Sequence, residues 1–238
     1  MKTYFLILFC ISTQLSFAQV DSLFLPHTDS IQKSISNNKK WQWFPPKRDT
    51  LNNKLILRNE KTNFGRKFLR AEGIVLGIQG TTMGILFALP ASVSNWDKEN
   101  IKNYRQNYKR AFTQKPVVDK DHWYINYIGH PYQGSYYYNA MRSQGAKFWQ
   151  AGLFSFGQSM VWEYLLESGI EQPSIQDIIV TPVLGSLLGE LFHFSSIKMA
   201  KNGYKWYEKA FISVFNPMFA INNGFKFAKQ VNVPMKTF

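Results

Sequence analysis

The feature that most constrains the fold is the distribution of basic residues along the chain. Lys and Arg concentrate in 33–70, 98–120 and 198–236, whereas 71–97 and 148–197 contain neither. Segments without positive charge, joined by basic connectors, are typical of apolar helices that pack together or enter a membrane. We therefore expect an all-α fold, a compact bundle of about four to five apolar helices that is membrane-associated or membrane-embedded. Aromatic residues make up 16% of the chain, and Trp and Tyr favour the membrane interface, which fits this expectation.

The N-terminus has the pattern of a secretory signal peptide over 1–18. A single Lys precedes an apolar core at 4–11, and small residues lead up to Ala18. Cleavage after Ala18 removes Cys10, the sole cysteine, so the mature chain has no thiol for disulfides, catalysis or zinc. We expect a protein exported to the cell envelope, facing the periplasm and membrane-associated, with the outer membrane favoured over the inner.

The formal net charge is +13, which suggests an anionic partner. Export argues against nucleic acid, and it favours anionic lipid or lipopolysaccharide, or else an envelope protein. No cofactor is expected.

The chain divides into three further parts after the signal peptide. Residues 19–60 are rich in Asn, Lys, Ser and Pro and have neither helical nor strand periodicity, so they predict a disordered tether. A helical domain over 61–203 follows. A basic, aromatic segment over 204–238 ends the chain, and its short alternation is typical of a strand.

Within the helical domain, 73–96 is uncharged and places glycines on one helical face. Gly73, Gly77, Gly80 and Gly84 recur at intervals of three and four residues, which forms the small-residue ridge of helices that pack closely in lipid. The segment is long enough to cross a membrane. A buried core helix whose glycines admit a neighbouring helix is the alternative.

The last apolar segment, 174–199, has its own start and bend signals. Ser174 and Asp177 have the Ser-x-x-Asp spacing of a capping box, which gives Asp177 a structural role at the helix start. Pro182 predicts a kink. A small-residue surface for another helix follows, formed by Gly185, Ser186 and Gly189.

Two residues further along this helix form a candidate metal motif. Glu190 and His193 share a helical face in the Glu-x-x-His spacing of carboxylate-bridged metal sites in bundles. A solvated helix end explains the same pair equally well.

The preceding helix carries Glu163 and Glu167 four residues apart, on one face. Buried carboxylates need a hydrogen-bond donor, and no Lys or Arg lies between 148 and 197. The remaining donors are basic connectors and a short set of side chains: His130, Arg142, Lys147 and His193. Alternatively, Glu167 reaches solvent and only Glu163 lies inside.

The turn from Asn126 to His130 leads into a helix that Pro131 starts and Gly145 ends. A helix start beside an imidazole can hold an anion such as a lipid phosphate. Alternatively, His130 caps the turn and the tyrosines at 136–138 are packing residues.

We expect these polar groups to share one interior, and two functions follow from it. The first is a non-enzymatic helical module that binds anionic lipid or an envelope partner. The second is an enzyme acting on a lipid-linked or phosphate-bearing substrate, with His130 and either Glu163 or Glu190 as acid and base. Neither a serine nucleophile motif nor a phosphate-binding glycine loop occurs, which favours the first. The other members of the polar interior are Asn126, Arg142, Glu167, Asp177 and His193.

The segments "NYIGHPYQGSYYYNAMRSQG" and "WEYLLESGIEQPSIQDIIVTPVLGSLLGE" resemble the bacterial envelope family known as domain of unknown function 3943. The resemblance covers 121–195 and includes the Gly-His-Pro element and the Ser-x-x-Asp, Thr-Pro and Gly-x-x-x-Gly-Glu elements. It implies an exported, envelope-associated protein of a Gram-negative bacterium and supplies no activity. The last helix is more loosely similar to VanZ-like membrane proteins.

Overall fold

The computed structural model describes residues 57–94, 96–118, 121–201 and 204–224. Within these ranges the chain forms eight α-helices and no strand, which confirms the predicted mainly helical fold. The signal peptide, most of the tether and the strand-like alternation of the last residues lie outside the described residues. The helices are α1 (Phe64–Ala88), α2 (Ala91–Ser94), α3 (Tyr104–Thr113), α4 (His130–Arg142), α5 (Phe148–Val161), α6 (Ile175–Lys201), α7 (Trp206–Phe215) and α8 (Pro217–Asn223).

Shorter helical turns connect these helices. Two are 3-10 helices, Lys98–Asn103 and Glu167–Gly169, and two are π-helical turns, Ile125–Gly129 and Trp162–Leu166. Each π-helical turn is continuous with a longer helix, because the first leads directly into α4 and the second extends α5. A lone parallel β-bridge joins Val117 to Ser174, just before α6.

The central pair of the bundle is α4 and α6, which run parallel. His130, at the start of α4, lies 3.2 Å from the Thr181 hydroxyl. Arg142, at the end of α4, binds Glu190 further along α6. The register between the two helices therefore brings their starting residues together at one end of the bundle, which we call the His130 end.

Small residues permit the close approach of α4 and α6. A Cβ atom added at Gly134 would lie 1.9 Å from the Thr181 carbonyl oxygen, and one added at Gly185 would lie 2.6 Å from Gly134 Cα. The small-residue surface expected on α6 is thus the surface that α4 contacts. α6 itself continues through Pro182 as one helix to Lys201.

α5 runs antiparallel to α4 and packs beside it. At one end the rings of Phe148 and Tyr138 meet at 6.0 Å between centroids. At the other, the Ser155 hydroxyl donates to the Gly134 carbonyl at 3.2 Å. α5 therefore finishes at the His130 end of the bundle.

α1 covers another side of α4, also antiparallel to it. The Gln144 amide donates to the Lys67 carbonyl at 3.0 Å, and the Gln79 amide donates to the Tyr137 hydroxyl at 3.0 Å. The glycines of α1 face away from these contacts, since a Cβ atom on any of the four would meet nothing within 4 Å. The alternative of a buried core helix whose glycines admit a neighbour therefore does not hold within the described residues.

The main core forms around α4, whose tyrosines are packing residues. Tyr136, Tyr137 and Tyr138 are each at most 3% exposed, and Met141 is fully buried. Two helices that the sequence analysis did not predict, α7 and α8, complete the bundle. α8 packs against α4, and α7 packs against α6. Phe219 of α8 is fully buried.

Two helices, α1 and α6, are long and apolar enough to cross a membrane by length and composition. Buried core helices of soluble proteins also meet this criterion, so exposure is the deciding quantity. Only 22% of the most apolar window of α1 is buried, and 44% of that of α6. Most of these two windows is therefore uncovered by the rest of the described chain.

Candidate functional site

Three chemically active side chains meet at the His130 end of the bundle. The imidazole of His130 and the carboxylates of Glu163 and Asp177 each place one ligand atom within 4.8 Å of the others. His130 Nε2 lies 3.5 Å from Asp177 Oδ1. Glu163 and Asp177 are 2% and 3% exposed, and the His130 side chain is 12% exposed. We call these three residues the His130 cluster.

Helix irregularities bring two of these residues to the cluster. His130 follows the π-helical turn Ile125–Gly129 directly, and Glu163 lies within the π-helical turn Trp162–Leu166. A π turn adds a residue to the helical repeat and re-aims the side chains around it, and such turns are frequent at functional sites. Both turns therefore coincide with the cluster.

The Asp177 carboxylate reaches the cluster because the Glu163 carboxylate accepts the backbone hydrogen bond that a capping box assigns to Asp177. The Ser174 hydroxyl accepts a hydrogen bond from the Asp177 N–H at 3.2 Å, as in a capping box. In a complete capping box, the Asp177 carboxylate would accept from the Ser174 N–H. Here Glu163 Oε2 accepts from that N–H at 2.8 Å. The Asp177 carboxylate instead faces His130, so the residue lies both at a helix cap and in the cluster.

The His130 ring is held at both nitrogens. Nδ1 lies 3.2 Å from the Thr181 hydroxyl, and Nε2 faces Asp177. Because the hydroxyl can donate or accept, the contact suits either form of Nδ1. The contact with Thr181 fixes the ring orientation and leaves Nε2 as the nitrogen that faces the carboxylates.

The helices that build the cluster bring little positive charge to it. No Lys or Arg occurs in 148–197, and α4 has none before Arg142. The anion that the sequence suggests for this helix start stays a prediction.

Glu190 does not lie in this cluster. Its two carboxylate oxygens accept from Arg142, Oε2 from Nε at 2.8 Å and Oε1 from Nη2 at 2.9 Å. The Tyr138 hydroxyl also donates to Oε2. This bidentate pair raises the pKa of the Arg142 guanidinium, and burial, followed by Glu190, raises the pKa of Tyr138.

The predicted single polar interior is therefore divided into two groups. Arg142 lies 12 residues after His130 on α4, a separation of about 18 Å along the helix. Because Arg142 occupies both oxygens of Glu190, the Glu-x-x-His spacing does not make a metal site with His193 here. His193 is 2% exposed and packs against the Phe219 ring at 6.1 Å between centroids.

Two further predicted members of the interior lie close to the cluster. Asn126, 2% exposed, lies in the π-helical turn before His130. Glu167 is half-buried and accepts a hydrogen bond from Trp96 Nε1 at 3.1 Å. Burial, and then the carboxylates of Glu163 and Glu171, raise the pKa of Glu167 well above its ordinary value.

Sequence reasoning missed the contacts that position the cluster, although the residues themselves lie in motifs that it identified. Thr181 belongs to the Thr-Pro element, but its contact with His130 joins residues 51 positions apart. The bond from Ser174 to Glu163 likewise joins two helices. Neither pairing has a signal in local spacing.

Together these features define a helical protein with a buried His–Glu–Asp cluster at one end and two helices of membrane-spanning length. Residues 115–218 match the family model described as Domain of unknown function (DUF3943). The match includes all three cluster residues and the whole of α4, α5 and α6, and it confirms the resemblance predicted from the sequence. The looser VanZ-like resemblance stays a prediction. No curated protein and no solved structure matches the chain.

Proposed function

We propose that this protein is a non-enzymatic, membrane-associated helical module of the cell envelope, which binds a bilayer containing anionic phospholipid. One observation carries the proposal, a row of exposed apolar side chains on the outer face of α6. They are between 53% and 66% exposed and recur every three or four residues, as one helical face requires. We call this row the α6 outer face, and its members are Ile179, Val183, Leu187, Leu191 and Phe194.

The neighbouring helix α5 also exposes large apolar side chains. On α5, Trp149, Leu153 and Phe156 are 57%, 63% and 47% exposed. Monomeric soluble proteins rarely expose a contiguous apolar patch of this kind, and large ones are typical of membrane or protein contacts. A bilayer fits the dimensions, because the 27 residues of α6 span about 40 Å and a hydrocarbon core is about 30 Å thick.

Basic residues at the edge of this surface support an anionic bilayer. Lys198 and Lys201 lie in the last turn of α6, and Arg66 and Arg70 lie near the start of α1. Both helix ends contact the α8 region, since Arg70 donates to Asn222 at 3.0 Å and Ser196 of α6 accepts from Asn216 at 3.0 Å. Lys and Arg near a membrane surface attract anionic headgroups.

Vesicle flotation tests this proposal with the purified full-length chain. We expect it to float with vesicles containing phosphatidylglycerol at low salt, and less with vesicles of phosphatidylcholine alone. The double variant Leu187→Glu/Leu191→Glu should stay in the dense fraction with an unchanged far-UV circular dichroism spectrum. The control Val118→Glu changes an exposed apolar residue (68% exposed) that is not a member of the α6 outer face and should float.

Failure of the wild-type chain to float with either vesicle would overturn the membrane proposal. A stable dimer in light scattering, lost in the double variant, would instead assign the α6 outer face to a second copy. Capture of a defined envelope protein without lipid would assign it to a protein partner.

Export is part of the same proposal. It is supported by the signal-peptide pattern of 1–18, which precedes the described residues. A chain recovered from cells with Gln19 at its N-terminus, in the membrane fraction, is the expected result. Separation of inner and outer membranes then tests the predicted preference for the outer membrane.

An enzyme acting on a lipid-linked or phosphate-bearing envelope substrate is a second candidate function. The observation that favours it is the meeting of His130 and Glu163, which lie close enough to exchange a proton through one water. Glu190 is not a candidate base because Arg142 binds both of its oxygens. The variants His130→Gln and Glu163→Gln should lose a cellular phenotype at normal protein abundance if this function is correct, whereas a purely structural role lowers abundance.

A further inference from the structure

We infer that the His130 cluster binds one divalent transition-metal ion. The ligands are Nε2 of His130 and one carboxylate oxygen each from Glu163 and Asp177. This assignment replaces Glu190 and His193 as the metal candidates of the chain. It does not depend on the membrane proposal, because metal binding and flotation are measured separately.

The distances are close to those of a three-ligand site. Ligands about 2.0–2.2 Å from a tetrahedral metal lie about 3.4 Å from one another. His130 Nε2 and Asp177 Oδ1 are already 3.5 Å apart, and all three ligand atoms lie within 4.8 Å. The three ligand atoms therefore already lie near the separations that one bound ion requires.

The outer contacts of the cluster resemble those that orient metal ligands. Metal-bound histidines use their second ring nitrogen in a hydrogen bond that fixes the ring, and Thr181 lies at hydrogen-bond distance from His130 Nδ1. Ligating carboxylates are hydrogen-bonded too, and the Ser174 N–H holds one oxygen of Glu163. Both contacts come from the first two turns of α6 or the residue before it.

The charge of the site favours a cation. Two buried carboxylates and one imidazole meet in the cluster. Carboxylate and imidazole groups are the ligands with which proteins bind divalent transition metals. The imidazole ligand favours zinc or iron over calcium and magnesium, which bind mainly oxygen.

Metal binding would join the start of α4, the turn after α5 and the start of α6. Three protein ligands leave one position of a tetrahedral ion for water. Since the site exists in the folded chain alone, the ion should also stabilise the fold.

Zinc is the probe for the test. The full-length chain, without a polyhistidine tag and stripped with chelator, is titrated with Zn²⁺ by calorimetry and analysed for bound zinc by mass spectrometry. We expect one zinc ion per chain and a higher Tm with zinc. His130→Gln, Glu163→Gln and Asp177→Asn should each weaken binding at least about tenfold, and Thr181→Val should weaken it by about tenfold.

The controls separate this site from other histidines. Glu163→Gln keeps an acceptor for the Ser174 N–H and Asp177→Asn keeps the side-chain shape, so circular dichroism should show folded variants. His122→Gln, which removes an exposed imidazole, and His193→Gln, which removes the earlier candidate, should leave zinc affinity unchanged. Equal zinc binding by the wild type and the His130→Gln variant, or loss of binding only in His193→Gln, would overturn the assignment. A folded wild-type chain that binds neither zinc nor iron stoichiometrically would do the same.

Discussion

Glu163 accepts the backbone hydrogen bond of Ser174 at 2.8 Å and so occupies the position that Asp177 takes in a complete capping box. The end of α5 is in this way attached to the start of α6. The exchange frees the Asp177 carboxylate for His130. One backbone hydrogen bond therefore connects helix capping to the formation of the His130 cluster.

A first prediction concerns the helix cap at Ser174. Ser174→Ala removes the hydroxyl that accepts from the Asp177 N–H, so the free energy of unfolding should fall by about 1 kcal/mol. Chemical denaturation of the purified chain measures this change. Ser195→Ala, on the same helix but away from its start, should change stability by less than about 0.5 kcal/mol. Equal effects of the two variants would contradict the capping role.

A second prediction concerns the close contact between α4 and α6. Gly134→Ala places a Cβ atom 1.9 Å from the Thr181 carbonyl oxygen, and backbone cannot move aside cheaply, so unfolding should become easier by at least about 2 kcal/mol. Gly77→Ala is the matched control, because its Cβ atom meets nothing within 4 Å. It should be neutral or stabilising by up to about 1 kcal/mol. Thermal denaturation of both variants checks the difference.

A third prediction concerns the Arg142–Glu190 pair. It is bidentate, and its side chains are only 24% and 35% exposed. A double-mutant cycle with Arg142→Gln and Glu190→Gln should give a coupling energy of about 1–3 kcal/mol. The exposed pair Lys102–Glu99, at 72% and 75% exposure, should give less than about 0.5 kcal/mol in the same cycle. A weak coupling at Arg142 would show that the pair adds little to the bundle.

A fourth prediction follows from the raised pKa of Glu167. The ordinary pKa of this carboxyl is 4.5. As the pH rises above that value, the Glu167 carboxyl loses its proton in the unfolded chain before it does in the folded chain. The folded state then holds more protons, so the free energy of unfolding falls as pH rises from 4.5 through the folded pKa. Glu167→Gln removes this contribution and keeps an acceptor for Trp96. The drop in Tm between about pH 5 and about pH 8 should be smaller in the variant, and an identical drop would contradict the raised pKa.

Local patterns predicted much of this molecule from the sequence. Pro131 and Gly145 mark the limits of α4, because a proline suits the first turn and Gly145 has φ of +83° beyond its end. Ser174 marks the start of α6. The small residues Gly185 and Gly189 mark its contact face. Each of these depends on neighbours within a few positions, which a single sequence contains.

The register between two helices, and the face that each helix presents to its neighbours, depend on contacts between residues far apart in the sequence. Local patterns do not contain those contacts. The sequence places Glu190 and His130 in one polar interior because the acidic groups of the apolar helices need donors, but the Gly134–Gly185 contact sets a parallel register that places Glu190 beside Arg142. The π-helical turn at Glu163 turns its carboxylate toward the His130 end, and a regular 3.6-residue repeat does not anticipate that turn. The sequence predicts that the glycine ridge of α1 forms a single face, but it does not indicate whether a helix of the same chain covers that face.

The central claim, that the α6 outer face contacts hydrocarbon, is tested most directly by site-specific labelling. An environment-sensitive fluorophore is attached to Leu187→Cys in a Cys10→Ser background, and the chain is mixed with anionic vesicles that contain brominated lipid. A matched label at Lys102→Cys lies in the exposed turn before α3. We predict a blue-shifted emission and strong quenching by bromine at 187, with neither at 102. Water-like, unquenched emission at both positions would contradict the claim.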